Sequence, residues 1–512
     1  MPSFGLGLES RRRNENGDLT VLEEEVTGDT GDESSIEKKP WNFYRILAIL
    51  FSIVILALLI CNITFIVLWQ QEKTTKTVLN FAEDSIEMLE MSLNKSVNPC
   101  VDFYRYTCDK MNNLPEQWMS METKIANKLD NFLKNLLDPI KNSEIEDQEP
   151  TLPTKSLQDA HLLYRQCLSE TKVEIGCFTY AKLLFQYPLA HAVMDHFELW
   201  DRTKDMAQRL NQSLVDIIHD YHAKLTPEEM KNLTNRLDEM NFNIGLPSDF
   251  ANKSLVEELY ADNNLQGLTF REMVIEILDT NNITEKFNQS QGRLPRHWPD
   301  MDSFSINAEC VYADDMIVLP ASELLHAEEG WSDAMNYGAL GAIIGHEISH
   351  NFGKEVIKYW SPNTPDGLQD KYVCLEHQYI FYSSVDENFA DNSGLFMAYR
   401  ALGDKIGHEQ MKKRAAATDG SSSQLTNEQV FFISYAHSWC HKYSSSQAIN
   451  GIGLTHSLNP VRVLIPMQNS IEFANAFKCP LESPMNPTEK CLPWRPSDPF
   501  SRFGYSTVSD LP

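Results

Sequence analysis

Asn336-Tyr337-Gly338-Ala339-Leu340-Gly341-Ala342-Ile343-Ile344-Gly345-His346-Glu347-Ile348-Ser349-His350 is the stretch on which the reading of this chain turns. A helix turns once per about 3.6 residues, so His346 and His350 point the same way and can share one Zn²⁺. Glu347 projects beside them toward the water that such an ion activates. In a chain with 14 histidines, a chance match to this spacing arises in on the order of a few per cent of cases, so context decides. The helical run in front of the motif is one such context, and a third ligand is the next.

Gly353 extends the motif toward the metzincin pattern, but Val356 stands where that pattern needs a third histidine. A zinc aminopeptidase would show Gly-x-Met-Glu-Asn before the motif, and none is present. Further on, Asp386-Glu387-Asn388-Phe389-Ala390-Asp391 opens a helix expected to run to about Leu402. Glu387 and Asp391, four apart, share one face: Glu387 can coordinate zinc while Asp391 accepts the N–H of a ligating histidine. Alone, such a pair is usually a solvated helix face; beside the histidine helix it reads as metal chemistry. In Thr455-His456-Ser457-Leu458-Asn459-Pro460-Val461-Arg462-Val463, His456 can stabilise a developing oxyanion and Arg462 can hold nearby groups in place.

The 512 residues carry 44 Lys+Arg against 72 Asp+Glu, a formal charge of −28, with 42% hydrophobic and 10% aromatic content. That apolar content excludes a disordered chain, and the acidic excess excludes a phosphate-binding surface and hence nucleic acid as partner. Ile46 to Trp69 carries no charge, and its helical length of about 36 Å is enough to cross a bilayer. It is too long, and preceded by too much chain, for a cleaved signal peptide. Arg11, Arg12, Arg13, Lys38, Lys39 and Arg45 precede it and only Lys73 and Lys76 follow closely, so the N-terminus is expected in the cytoplasm. The chain beyond then faces an oxidising compartment. Glycosylation sequons at Asn94, Asn211, Asn232, Asn252, Asn282 and Asn288 agree with that, and nine of the ten cysteines lie there too. Their odd number leaves one unpaired or shared with another chain, which admits a disulfide-linked or non-covalent homodimer.

The expected organisation is a disordered tail over 1–45, a membrane anchor over 46–69, a helical extracellular region over 70–300, a zinc peptidase domain over 301–494 and a loose extension over 495–512. Apolar residues three or four apart predict helices over Leu79–Met91, Trp118–Leu137, Leu157–Cys167, Leu210–Tyr221 and Met273–Leu278. Met316-Ile317-Val318-Leu319 reads as a strand. The fold class is mainly α with a small β component, α+β.

Together these residues resemble the neprilysin and endothelin-converting enzyme family of membrane zinc endopeptidases. The likeness covers the anchor, Pro99-Cys100-Val101-Asp102-Phe103-Tyr104-Arg105-Tyr106-Thr107-Cys108, and nearly everything from Ser305 to Trp494. It implies a thermolysin-like (gluzincin) catalytic domain with one Zn²⁺ per chain on His346, His350 and Glu387. It implies Glu347 as general base, Asp391 behind a zinc ligand, His456 as transition-state histidine, Asn307-Ala308 on the substrate backbone and Arg462 as an active-site arginine. It further implies disulfides Cys100–Cys479, Cys108–Cys440 and Cys374–Cys491, peptide substrates, and a single-pass type II plasma-membrane protein. Departures are Glu309-Cys310 where an aromatic pair is usual, Gly353-Lys354 after the zinc helix, Asp109-Lys110-Met111 after the second cysteine, and a helical lid region much shorter than the family's. Cys167 then either pairs with Cys177 or stays free. Zinc-activated water hydrolysing extracellular peptides is the leading expectation; a catalytically weak zinc glycoprotein that binds peptides or proteins without cutting them is the alternative.

Overall fold

Ser120 and the leucine spacing after it show how the helical half is built. Ser120 accepts a hydrogen bond from the Thr123 amide and so caps α1, Met121–Leu137. Met121, Ile125, Leu129, Leu133 and Leu137, four apart, form its buried stripe. Thr154 caps α2, Lys155–Thr171, in the same way, and the left-handed residue Lys172 ends it. Three helices follow: α3 (Glu174–Leu184), α4 (Gln186–His196) and α5 (Leu199–Tyr221). The computed structural model describes residues 86–110, 120–138, 152–221, 226–280, 302–311, 314–328, 330–353, 366–379, 384–416, 422–441, 443 and 456–494. The chain divides at Lys73/Thr74, and all described residues belong to the second unit.

A three-stranded sheet of order β1-β3-β2 joins β1 (Asn241–Gly245), β2 (Glu309–Val311) and β3 (Met316–Pro320). β1 runs parallel to β3, with Asn241 beside Met316, while β2 runs antiparallel, with Cys310 opposite Ile317. β3 is buried along its whole length, as expected for a central strand of continuous apolar residues. β1 and the two-stranded pair β4 (Arg414–Ala416) and β5 (Ser422–Thr426) carry no strong apolar alternation, and the sequence reading does not anticipate them.

The C-terminal half is mostly helical. Asp333–Asn336 leads through a π-turn, Tyr337–Gly341, into α6, Ala342–His350. After α7 (Asp366–Gln378) comes α8, Val385–Ile406, then α9 (Asn427–Ser438) and α10 (Asn459–Asn469). Thr426 and Gln429 close a capping box on α9. One continuous core takes in Leu129, Leu163 and Leu210 from the first half and Ile344, Phe389 and Phe432 from the second, so the stretches before and after residue 300 share their sheet and their interior.

Disulfides Cys100–Cys479 and Cys108–Cys440 span 379 and 332 residues and clasp the start of the unit to its end. Cys374–Cys491 secures α7 to the C-terminal segment, and Cys167–Cys177 links α2 to α3. The structure thus answers the open pairing of Cys167, and leaves Cys310 as a buried free thiol. Among the described residues no helix is long and apolar enough to cross a membrane; the segment 46–69 lies outside them, as do the tail 1–45, the extension 495–512 and Asn282 and Asn288.

Candidate active site

α6 delivers His346 and His350 one turn apart, and α8 crosses it to deliver Glu387 and Asp391 one turn apart. All are buried or nearly so, with His346 5%, His350 6% and Asp391 3% exposed. The two histidine Nε2 atoms face each other at 3.0 Å. Glu387 Oε2 lies 3.2 Å from His346 Nε2, 3.5 Å from His350 Nε2 and 3.1 Å from His456 Nε2. Yet this oxygen accepts no properly aligned hydrogen bond. Two imidazole nitrogens and a carboxylate oxygen converging in this way is the donor set of a metal cradle, and His346, His350 and Glu387 form the metal-compatible cluster among the described residues. The chemistry of this donor set, two imidazoles and one carboxylate, fits zinc.

Behind the cradle, Asp391 Oδ1 lies 2.8 Å from His346 Nδ1. An ionised carboxylate only accepts, so the proton sits on Nδ1 and Nε2 is left to face the cluster. Asp391 is held in turn by Arg462, whose Nε and Nη2 donate to its two oxygens at 2.9 and 2.6 Å. The guanidinium lies over the Trp439 ring at 3.8 Å, and the Arg462 carbonyl accepts from the Tyr435 hydroxyl at 2.8 Å. Arg462, 8% exposed, is therefore packed inside the site and turned toward Asp391. Trp439 and Tyr435 are partners that the sequence reading missed. The one signal for Trp439 was its place beside Cys440, since the disulfide carries it to the centre.

Electrostatics follow from this packing. Burial works to raise the Glu387 carboxyl, but the three surrounding imidazoles outweigh it and hold the group well below the usual carboxylate range. Burial likewise opposes ionisation of Asp391, and Arg462 with His346 overcomes it. Burial draws His346 down, but Asp391 and Glu387 lift it to about 9. Glu347 is shifted the other way, its carboxyl pushed up chiefly by burial.

The remaining expected residues surround this centre. His456 is about half exposed and stands at the mouth, beside Glu387. Its neighbour Ser457 donates to Asn388 Oδ1 at 2.8 Å, which fastens the His456 segment to α8. Asn307 is exposed and Ala308 buried, directly before the edge strand β2. Cys310 of β2 receives the Asn351 Nδ2 at 3.3 Å, which seats the strand against the end of α6. Burial, with the Glu347 charge beside it, pushes the Cys310 thiol up and keeps it protonated. Among the sequons, Asn252 is exposed. Asn94 Nδ2 donates to Asp109 at 3.1 Å, and Asn211 Nδ2 donates to the Leu237 carbonyl at 2.8 Å, a bond that a glycan would displace.

Histidines one turn apart, a carboxylate from a crossing helix and an acid behind the first histidine define a metallopeptidase-type centre on a mostly helical fold. Comparison with known proteins carries this to a family. Residues 307–492 match Peptidase family M13. Neprilysin of Oryctolagus cuniculus is 28% identical over 325 residues, 57% of this chain and 41% of the relative. Neprilysin of Homo sapiens is 29% identical over 325 residues, with the same shares of 57% and 41%. The endothelin-converting enzyme homolog of Locusta migratoria is 30% identical over 286 residues, 51% of this chain and 38% of the relative. The chain is thus similar to the neprilysin family, with the family match carried by residues 307–492, and spans less than half the length of these curated relatives. Among solved structures, the Haemonchus galactose containing glycoprotein complex superposes with a TM-score of 0.56 at 17% identity, covering 82% of this chain and 99% of that one. The Mycobacterium tuberculosis zinc metalloprotease ZMP1 in its open state gives 0.50 at 18% identity, covering 61% and 51%. These two likenesses speak for the fold.

Proposed function

We propose that this chain is a zinc-dependent endopeptidase that hydrolyses extracellular peptides at the plasma membrane, anchored by residues 46–69, with 70–300 as a reduced helical region and 301–494 as the catalytic domain. The observation that carries the reading is the convergence of His346, His350 and His456 on one Glu387 oxygen, with Asp391 behind the first histidine. Zinc held by His346, His350 and Glu387 would polarise the scissile carbonyl as a Lewis acid and lower the pKa of water toward about 7. Glu347 takes the proton of the attacking water and passes it to the leaving amine. Burial raises its carboxyl above the ordinary range, which suits a group that must accept and return a proton. His456 donates to the oxygen on which negative charge develops. Asp391 fixes the His346 tautomer, and Arg462 holds Asp391 in place. Asn307 and Ala308, at the end of edge strand β2, meet the substrate backbone by strand addition.

The four disulfides support an extracellular setting. Of the sequon residues whose side chains the structure describes, Asn94, Asn211 and Asn252, the exposed Asn252 suits a glycan best. No observation at the site favours binding without cleavage. The test is cleavage of a quenched peptide library by the full chain from secretory-pathway cells, wild type against Glu347→Gln at equal zinc content. Cleavage by wild type, reduced at least a hundredfold in the variant, is the expected outcome; equal silence from two folded, zinc-loaded proteins would overturn the reading.

A further inference from the structure

Two glycines stand where the helices bearing the ligand set cross. Gly345 immediately precedes His346 on α6, and Gly394 follows Asp391 by less than one turn on α8. A Cβ at Gly394 would lie 2.5 Å from the His346 backbone nitrogen, 2.8 Å from the Gly345 carbonyl carbon and 2.9 Å from the Ala342 oxygen. A Cβ at Gly345 would lie 2.8 Å from the Gly394 oxygen and 3.0 Å from its Cα. Every atom met is backbone, so no side chain can swing aside. Gly341, one turn earlier, differs: its Cβ would meet only the Tyr337 side chain of its own helix, at 3.4 Å.

We propose that the Gly345–Gly394 backbone contact is the spacer that sets metal affinity, because it fixes the distance between the helix carrying His346 and His350 and the helix carrying Glu387. This rests on reading the site as a zinc centre and adds what tunes it. Non-bonded heavy atoms come to rest at roughly 3.5–4 Å, so a methyl group at Gly394 opens the crossing by about 1 Å. A metal site tolerates ligand displacements of only about 0.2 Å. The same opening also parts His346 Nδ1 from Asp391 Oδ1, now at 2.8 Å. Glycine within a helix costs about 1 kcal/mol relative to alanine. Gly394 bears that cost in the interior of a 22-residue helix, where only close approach to α6 offsets it.

The test measures zinc dissociation constants by chelator competition on the full chain in detergent, for wild type, Gly394→Ala, Gly345→Ala and Gly341→Ala. Circular dichroism and thiol titration report whether the helices and the four disulfides are intact. The expected result is folded Gly394→Ala with zinc binding weakened at least tenfold, Gly345→Ala weakened less, and Gly341→Ala within twofold of wild type. Folded Gly394→Ala that holds zinc within twofold of wild type would overturn the proposal. So would failure of both Gly394→Ala and Gly345→Ala to fold in the absence of zinc, since the pair would then serve the core. Wild type that binds no zinc would remove the zinc reading itself, a result separate from either.

Discussion

Arg462→Met probes the deepest electrostatic commitment of the site. The guanidinium is 8% exposed, makes two charge-assisted bonds to an Asp391 that is 3% exposed, and lies 3.8 Å over Trp439. Methionine keeps much of the volume over the indole but leaves Asp391 ionised, buried and held by His346 alone. Breaking a buried pair from one side costs about 3–5 kcal/mol, against about 0.5–2 kcal/mol for the lost contact with the ring. Urea unfolding of zinc-free protein, followed by tryptophan fluorescence, should therefore show a loss of about 3–5 kcal/mol for Arg462→Met. Adding Asp391→Asn removes the stranded charge, so the double mutant should recover part of that loss, with a coupling energy above about 2 kcal/mol. A single-mutant loss below about 1 kcal/mol, or coupling below about 0.5 kcal/mol, would mean that Arg462 acts through packing on Trp439 and that the Asp391 pair does not hold the site.

Further expectations concern pH, disulfides and metal. Burial lowers His437 from 6.5 to about 4, so as pH falls the unfolded chain takes up a proton before the folded one does. Stability is then full above about pH 6.5 and lost progressively toward pH 4, by up to about 3 kcal/mol, and urea melts across this range should show the slope flattened in His437→Gln. Removing Cys167–Cys177, which closes 10 residues, should cost roughly 3 kcal/mol, and removing Cys100–Cys479, whose loop the retained Cys108–Cys440 bridge shortens to about 50 residues, roughly 4 kcal/mol, both read as serine pairs in the same assay. The reverse order would contradict the clasp. Chelation should destabilise wild type by about 4 kcal/mol relative to protein at a thousandfold excess of zinc over its dissociation constant, whereas Glu387→Gln should respond far less in a paired thermal melt.

The candidate site residues are legible because each pair is local. His346 with His350, and Glu387 with Asp391, are one helical turn apart, and helix geometry alone puts each pair on one face. The stripe from Met121 to Leu137 is legible for the same reason. β1 is not, because Asn-Phe-Asn-Ile-Gly gains its strand identity by pairing in parallel with β3, across about 75 residues of intervening sequence. The place of Arg462 is hidden likewise: nothing near it in sequence says that it points at Asp391 and away from open solvent.

What the sequence by itself determined is therefore the inventory and its local phase: which residues can bind a metal, which turn of which helix presents them, and which family the pattern resembles. Only the tertiary structure decided that α6 and α8 touch backbone to backbone through Gly345 and Gly394, that Arg462 closes over Asp391 beneath Trp439, and that Cys167 pairs with Cys177. The reason is physical. Spacing along a helix follows from bond geometry within a few residues, whereas the distance between two helices is set by the smallest side chains at their crossing and by chain closure over hundreds of residues.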